Sequence, residues 1–299
     1  MHSMKGSQPA IIRSLLFVPG DSERKLQRAI DCDSDALILD LEDSVSASQK
    51  PKARGLLSEF LKCHSSNRKQ SYFVRVNPYG SEHFNADLNT AVSGRADGIL
   101  LPKSMPAQIR TLCAQLSVLE SANGLAEGTI KIIGIATETP SAIFALGSYG
   151  GTSSRLSGLA CGAEDLAASL GALNMTPGRH DDVFRLARSL CLLGAGAAGV
   201  DAIDTVYVDY KDLGGLEAEC LAARRAGFVG KLAIHPGQIQ TINKAFSPTQ
   251  LEIEWAKRVV AAFDENPETG AVGIDGKMVD RPHVILAQRV LARARTVSP

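Results

Sequence analysis

The stretch ALILDLED at Ala36–Asp43 decides how the rest of the chain is read. Four apolar residues follow one another without polar alternation, which describes a strand buried on both faces, as in a parallel sheet covered by helices. Three acidic residues, Asp40, Glu42 and Asp43, then crowd its end. The same shape, an apolar run closed by a polar or charged residue, occurs upstream at Ser14–Pro19 (SLLFVP). Downstream it recurs at Ser71–Asn77 (SYFVRVN), Gly98–Lys103 (GILLPK) and Ile130–Thr137 (IKIIGIAT). Leu156–Gly162 (LSGLACG), Ala202–Val208 (AIDTVYV) and Lys231–His235 (KLAIH) complete a set of eight. Their starts lie roughly 30 residues apart, about one β-α unit each.

The intervening segments carry helical signals. DSERKLQRAI at Asp21–Ile30 opens on acidic residues, and Gln49–Leu61 has apolar residues at helical spacing. Pro106–Leu119 starts with proline at a first-turn position, and Asp181–Leu193 and Leu213–Ala226 continue the alternation. Eight units without an intervening linker favour an α/β fold of the closed (β/α)8 TIM-barrel type over an open, doubly wound sheet. The reading places the barrel over residues 11–245. Beyond it, Pro248–Phe263 and Arg281–Ala294 read as helices flanking a polar, glycine-rich Asn266–Val279. Residues 246–299 thus form a C-terminal helical extension, a lid or an arm reaching a neighbouring subunit.

Composition narrows the function. Of 299 residues 44% are hydrophobic and 21% charged, which excludes a disordered or collagen-like chain. Lys plus Arg and Asp plus Glu both number 32, and zero net charge disfavours nucleic acid or an anionic membrane as partner. No apolar run approaches the ~20 residues that span a bilayer. Met1–Ala10 is polar and lacks the apolar core of a secretion signal, and His2, Ser3 and Met4 read as a loose leader. Six cysteines are scattered without a C-x-x-C pair, which speaks against a zinc ribbon or redox dithiol and for a reduced, cytoplasmic protein.

In such barrels the chemistry sits at the C-terminal strand ends. There the sequence sets Asp40, Glu42, Asp43, Arg75, Asn77, Lys103, Glu138, Glu164, Asp165 and His235. Each alone has a structural reading as a cap or ion pair, but charges from so many strand ends on one rim must be paired or bind something. Glu138 and Asp165 suit a hard divalent cation such as Mg2+, which takes one or two protein carboxylates and completes its shell with water and substrate oxygens. Arg75 offers a guanidinium that matches a substrate carboxylate bidentately. Metal facing arginine describes a site for a small 2-oxo acid. Asp40, Glu42, Asp43 and Lys103 read as a supporting shell that orients metal waters and Arg75, or pairs internally. Cys161 reads as a small packing residue, since no His/Cys arrangement supports a nucleophile.

At these residues the sequence resembles the citrate lyase beta-subunit-like (CitE-like) acyl-CoA lyases of the HpcH/HpaI aldolase superfamily. The resemblance runs through RSLLFVPGD (Arg13–Asp21), LDLEDSV (Leu39–Val45), VRVNP (Val74–Pro78) and LPK (Leu101–Lys103). It continues in ETP (Glu138–Pro140), CGAEDLAASLG (Cys161–Gly171), IHPGQI (Ile234–Ile239) and DGKMVDRPH (Asp275–His283). It implies a TIM barrel assembled as a homotrimer or homohexamer, with Mg2+ as cofactor and acyl-CoA and oxo acids as small-molecule partners. It implies cleavage of a 3-hydroxyacyl-CoA (citramalyl-CoA, malyl-CoA or citryl-CoA) to acetyl-CoA and an oxo acid. By position it implies Glu138 and Asp165 as metal ligands and Arg75 as the oxo-acid anchor, with Glu164 beside the substrate. Phe17, Arg24 and Arg28 fall where the family contacts CoA, and Ile234 and His235 border the thioester. Asp280 matches the acid that the extension delivers to a neighbouring subunit. Alternative readings are a malyl-CoA thioesterase, a CoA-independent class II oxo-acid aldolase, and a non-catalytic sensor of an oxo acid. Glu138, Asp165, Arg75 and Asp280 together disfavour the sensor, which needs no acid.

Overall fold

The computed structural model describes residues 12–65, 68–172 and 182–297. The polar start Met1–Ala10, residue 11 of the barrel reading and Asp181 at the head of an expected helix lie outside the described residues. Two compact units emerge, Ile12–Ala245 and a second that runs from Phe246 onward.

The first unit is a closed barrel of eight strands in sequence order: β1 (Ser14–Pro19), β2 (Ala36–Asp40), β3 (Ser71–Arg75), β4 (Gly98–Leu101), β5 (Lys131–Ile135), β6 (Leu156–Ala160), β7 (Asp201–Asp204) and β8 (Gly230–Ala233). All neighbours run parallel, and β1 pairs with β8 to close the ring. The helices are α1 (Glu23–Ile30), α2 (Lys50–Cys63), α3 (Phe84–Ser93), α4 (Pro106–Ala122), α5 (Pro140–Phe144), α6 (Glu164–Leu170), α7 (Asp182–Ala198), α8 (Leu213–Ala226) and α9 (Ile239–Phe246). The (β/α)8 architecture expected from the run spacing is the one observed. Most strands end earlier than the apolar runs suggested, because their polar last residues leave the hydrogen-bond ladder and turn into the loops of the mouth. The sequence reading named no helix at α3, whose Asn, Asp and Thr residues are weak helix formers.

Leu15, Ile38, Phe73, Leu100, Ile133, Ile203 and Leu232 fill the interior. Truncating one of these to alanine costs about 2–5 kcal/mol by lost transfer energy plus a residual cavity. Side chains alternate along a strand, so the next inward position lies two residues on. From Leu15, Ile38, Phe73, Ile203 and Leu232 that step leads to Phe17, Asp40, Arg75, Thr205 and Ile234. The packed core thereby hands over to a polar layer at the C-terminal mouth.

In the second unit, α10 (Gln250–Asp264) starts with Thr249 as N-cap, its hydroxyl accepting from the Glu252 amide. An antiparallel hairpin follows, β9 (Ala271–Ile274) and β10 (Lys277–Asp280), and then α11 (Arg281–Val297). The hairpin replaces the irregular segment expected there. Its loop residues Asp275 and Gly276 both have positive φ (51° and 74°), the conformation of a two-residue Asp-Gly turn. Ala256, Val259, Phe263, Ile274, Val279 and Ala287 form this unit's own core. Among the described residues no helix is long and apolar enough to cross a membrane.

Candidate active site

The register of β2 against β3 sets Asp40 level with Arg75. Their side chains meet in a two-pronged pair: Arg75 Nε donates to Asp40 Oδ1 at 2.7 Å and Nη2 to Oδ2 at 2.6 Å. Arg75 Nη1 lies 2.9 Å from Glu42 Oε2 and 3.5 Å from Asp43 Oδ2. The guanidinium stacks over the Phe17 ring, 4.7 Å from its centre. Burial alone would lower the arginine pKa, but Asp40, Glu42 and Asp43 raise it instead, so the cation is fixed. Burial likewise works against ionisation of Asp40, and the Arg75 hydrogen bonds prevail, holding it below the usual carboxylate range. The bidentate edge of Arg75 is therefore spent on Asp40, and a ligand meets the remaining Nη hydrogens.

Opposite this pair, Glu138 follows β5 and Asp165 opens α6. Thr139 caps α5 by accepting from the Ala142 amide, and Pro140 fills the first helical position, which fixes the backbone just after Glu138. Glu138 is 3% exposed. One of its oxygens, Oε2, accepts a hydrogen bond from the Lys103 backbone N–H. Gly162 makes room for it, since a Cβ there would stand 2.6 Å from Glu138 Cγ and 2.8 Å from Ile135 Cγ2. Lys103 has a left-handed backbone (φ 49°). Its ammonium bridges Glu42 Oε1 at 2.9 Å and Asp165 Oδ1 at 3.0 Å.

The electrostatics of this half are anionic. Burial first, then the Asp165 and Glu42 charges, push Glu138 up to about 8 against the pull of the Lys103 amide. Burial also raises Glu42 to about 7, although Arg75 and Lys103 oppose it. Carboxylates that resist ionisation because they are buried, and secondarily because like charges crowd them, form a donor set that a divalent cation would relieve. Among the described residues no group of three or more His, Cys, Asp or Glu side chains could hold a metal. Glu138 and Asp165 would offer two carboxylates, a set suited to a hard ion that completes its shell with water or ligand oxygens.

Between the two halves lies a cavity of 410 Å3, in the range of small-molecule sites. Phe17, Asp40, Asp43, Arg75, Glu138, Glu164, Asp165 and Ile234 all line it. Glu42 and Lys103 join through their ion pairs. Ile135, Gly162, Thr205, Val206 and Leu232 are among the other lining residues and were not anticipated as site residues. The step of two from the core positions is the signal that finds Thr205. Its Oγ1 is buried without a hydrogen-bond partner. Cys161 also lines the cavity, 3% exposed, its sulfur accepting from the Thr137 hydroxyl at 3.4 Å.

Arg24, Arg28 and His235 are not among the residues that line the cavity. Arg24 and Arg28 are exposed, one helical turn apart on α1. His235 is exposed on the loop after β8, accepts from the Gly237 amide and stacks on Tyr210 with ring centres 4.6 Å apart. Asp280 belongs to the second unit, where it pairs with His283. That contact holds the Asp280 carboxyl below its ordinary range.

Comparison with known proteins fits this arrangement. Residues 13–236 match the HpcH/HpaI aldolase/citrate lyase family. The chain is 36% identical over 291 residues to a (3S)-malyl-CoA thioesterase of Cereibacter sphaeroides, covering 96% of this chain and 95% of that protein. It is equally 36% identical over 285 residues to the citrate lyase subunit beta of Escherichia coli, covering 94% and 93%. The crystal structure of CitE from Mycobacterium tuberculosis in complex with magnesium, acetoacetate and coenzyme A superposes with a TM-score of 0.75 at 31% identity, covering 96% of this chain and 99% of that one. The chain belongs to the HpcH/HpaI aldolase/citrate lyase family, on the CitE-like side of it.

Proposed function

We propose that this protein is a Mg2+-dependent carbon–carbon lyase that cleaves a 3-hydroxyacyl-CoA (citramalyl-CoA, malyl-CoA or citryl-CoA) into acetyl-CoA and an oxo acid. The observation that carries the reading is the crowded pair Glu138 and Asp165 facing the fixed Arg75 cation across one cavity. Glu138 and Asp165 would hold the ion, and bound Mg2+ would supply a Lewis acid for the oxo-acid end of the substrate. Arg75, oriented by Asp40 and backed by Phe17, offers the carboxylate of that acid the Nη hydrogens that Asp40 and Glu42 leave over. Asp40, Glu42, Asp43 and Lys103 keep these groups in place. Glu164 borders the bound acid, while Ile234, His235, Arg24 and Arg28 serve the CoA side.

The C3 hydroxyl gives up its proton to solvent and becomes the carbonyl of the oxo acid, and breaking the bond between C2 and C3 leaves an enolate of acetyl-CoA that takes one proton back. We assign that proton to Asp280 of a neighbouring copy in a homotrimer or homohexamer. In the single chain His283 keeps Asp280 ionised, so burial at the neighbour's mouth has to lift its pKa before it serves as an acid. Asp280→Asn with undiminished turnover would sink this assignment. The free cysteines, three of them buried thiols, are consistent with a reducing, cytoplasmic setting.

A second reading, hydrolysis of malyl-CoA, is favoured by the thioesterase relative that matches over 96% of this chain. One assay decides. Purified protein with Mg2+ receives each of the three thioesters while acetyl-CoA, oxo acid and free thiol are followed together. Acetyl-CoA with glyoxylate, pyruvate or oxaloacetate establishes the lyase and names its substrate. Free thiol without oxo acid establishes the thioesterase. No reaction on any thioester leaves a CoA-independent aldolase. Glu138→Ala should abolish the metal-dependent turnover while the barrel stays folded, since the residue sits at the rim.

A further inference from the structure

The cluster at the mouth carries five carboxylates (Asp40, Glu42, Asp43, Glu138 and Asp165) against two cations, Arg75 and Lys103. Arg75 is committed to the Asp40 side. Lys103 alone reaches the Glu138–Asp165 side, and it does so twice. Its ammonium is 3.0 Å from Asp165 Oδ1 and 2.9 Å from Glu42 Oε1, while its backbone N–H donates to Glu138 Oε2. A left-handed backbone is uncommon outside glycine, and here it aims the main-chain and the side-chain donor into one acidic cluster.

We propose that the Lys103 ammonium occupies the cation position of this cluster in the metal-free protein, and that a divalent ion binds only by drawing Asp165 away from it. Lys103 is then a positioning residue that sets metal affinity. The inference rests on the assignment of Glu138 and Asp165 as the metal ligands. Two features make competition the expected relation. An ammonium in hydrogen-bond contact already uses a lone pair of Asp165 that a metal needs, and its charge repels a dication a few ångströms away. Lys103 is 32% exposed at its side chain, so it has a free route outward once displaced.

The test is direct Mn2+ binding, by calorimetry and by the loss of the free-ion electron paramagnetic resonance signal, on the full-length protein without substrate. Lys103→Met removes the charge and keeps the chain length, and Lys103→Gly removes it while also relaxing the backbone. Both should bind Mn2+ at least about tenfold tighter than the unmodified protein, a value already discounted for partial exposure. Lys103→Arg, which keeps the charge, should stay within about threefold. Equal or weaker binding by both the Met and the Gly variants would overturn the proposal and leave Lys103 as a brace that merely orients Asp165. If Lys103→Met fails to fold, the glycine variant decides. Glu138→Ala should lose the site altogether. Retained binding there would overturn the ligand assignment itself, and the proposal with it, so the two failures read differently.

Discussion

Gly162→Ala tests whether the site depends on shape as much as on charge. The glycine has no left-handed φ, so the substitution asks nothing new of the backbone. It asks only for space, and there is none. The added methyl would lie 2.6 Å from Glu138 Cγ and 2.8 Å from Ile135 Cγ2, well inside carbon–carbon contact distance. Ile135 packs in the barrel interior and yields little, so Glu138 has to move. Moving it breaks the hydrogen bond from the Lys103 amide and shifts a carboxylate by about 1 Å, a displacement that costs about a hundredfold in rate at a preorganised site. The overpacking adds about 1–3 kcal/mol of destabilisation. Gly196 in α7 is the control, because a Cβ there meets nothing within 4 Å. Gly196→Ala should gain about 0.5–1 kcal/mol through helix propensity with activity unchanged. Urea unfolding midpoints and Mg2+-dependent turnover of both variants provide the comparison. If Gly162→Ala kept full turnover, Glu138 would not need the geometry assigned to it, and its role as a metal ligand would fall.

Further predictions concern the charges buried around the barrel. Asp204 accepts from Arg188 at 2.6 and 2.9 Å and from Lys231 at 2.8 Å. Burial opposes its ionisation, but Lys231 and Arg188 hold its pKa down to about 2. A depressed carboxylate stabilises the fold above its unfolded pKa, so about 2 kcal/mol should vanish as pH falls from about 4 toward 2. Urea titrations across that window should lose this component in Asp204→Asn. Arg155 is 2% exposed and grips Glu120 with two hydrogen bonds of 2.7 Å. Arg155→Met should cost about 3 kcal/mol, the low end for a broken buried pair, because the Gly128 and Ile130 amides still serve Glu120. Thr205→Val removes a buried hydroxyl without a partner and should raise the urea midpoint by the equivalent of about 1 kcal/mol, where a loss would reveal a hydrogen bond to Thr205.

The fold was legible because its decisive signal is local. An apolar run such as Ala36–Leu39 has no polar face, so only a sheet covered on both sides accommodates it. Eight repeats at one spacing leave few ways to close. The C-terminal hairpin escaped for a different reason. Ala271–Ile274 and Lys277–Asp280 are four residues each with one buried residue apiece, so neither shows the continuous burial that marks a barrel strand. The Asp275–Gly276 pair was the available clue, since both positions take the positive φ that a two-residue hairpin loop demands. Helix α3 was invisible to propensity because Asn85, Asp87, Asn89 and Thr90 are weak helix formers, and the packing of Phe84, Leu88 and Ala91 holds it instead.

In the site, residue identity was legible and partnership was not. A charge at the end of an apolar run announces itself, which is how Asp40, Arg75, Glu138 and Asp165 were found. Which of them would touch depends on strand register, a property no single run contains. The parallel pairing of β2 with β3 sets Asp40 beside Arg75, so the arginine edge that suited a ligand carboxylate is spent inside the protein. The spacing also hid that Lys103, fixed by a left-handed turn after β4, reaches Glu42 and Asp165 at once. These two facts change the chemistry more than any added residue would. With Arg75 committed to Asp40, the mouth sets five carboxylates against two cations. An oxo acid arriving alone would therefore meet carboxylates where the residue types by themselves had suggested attraction, which is why the proposed reaction pairs it with a dication.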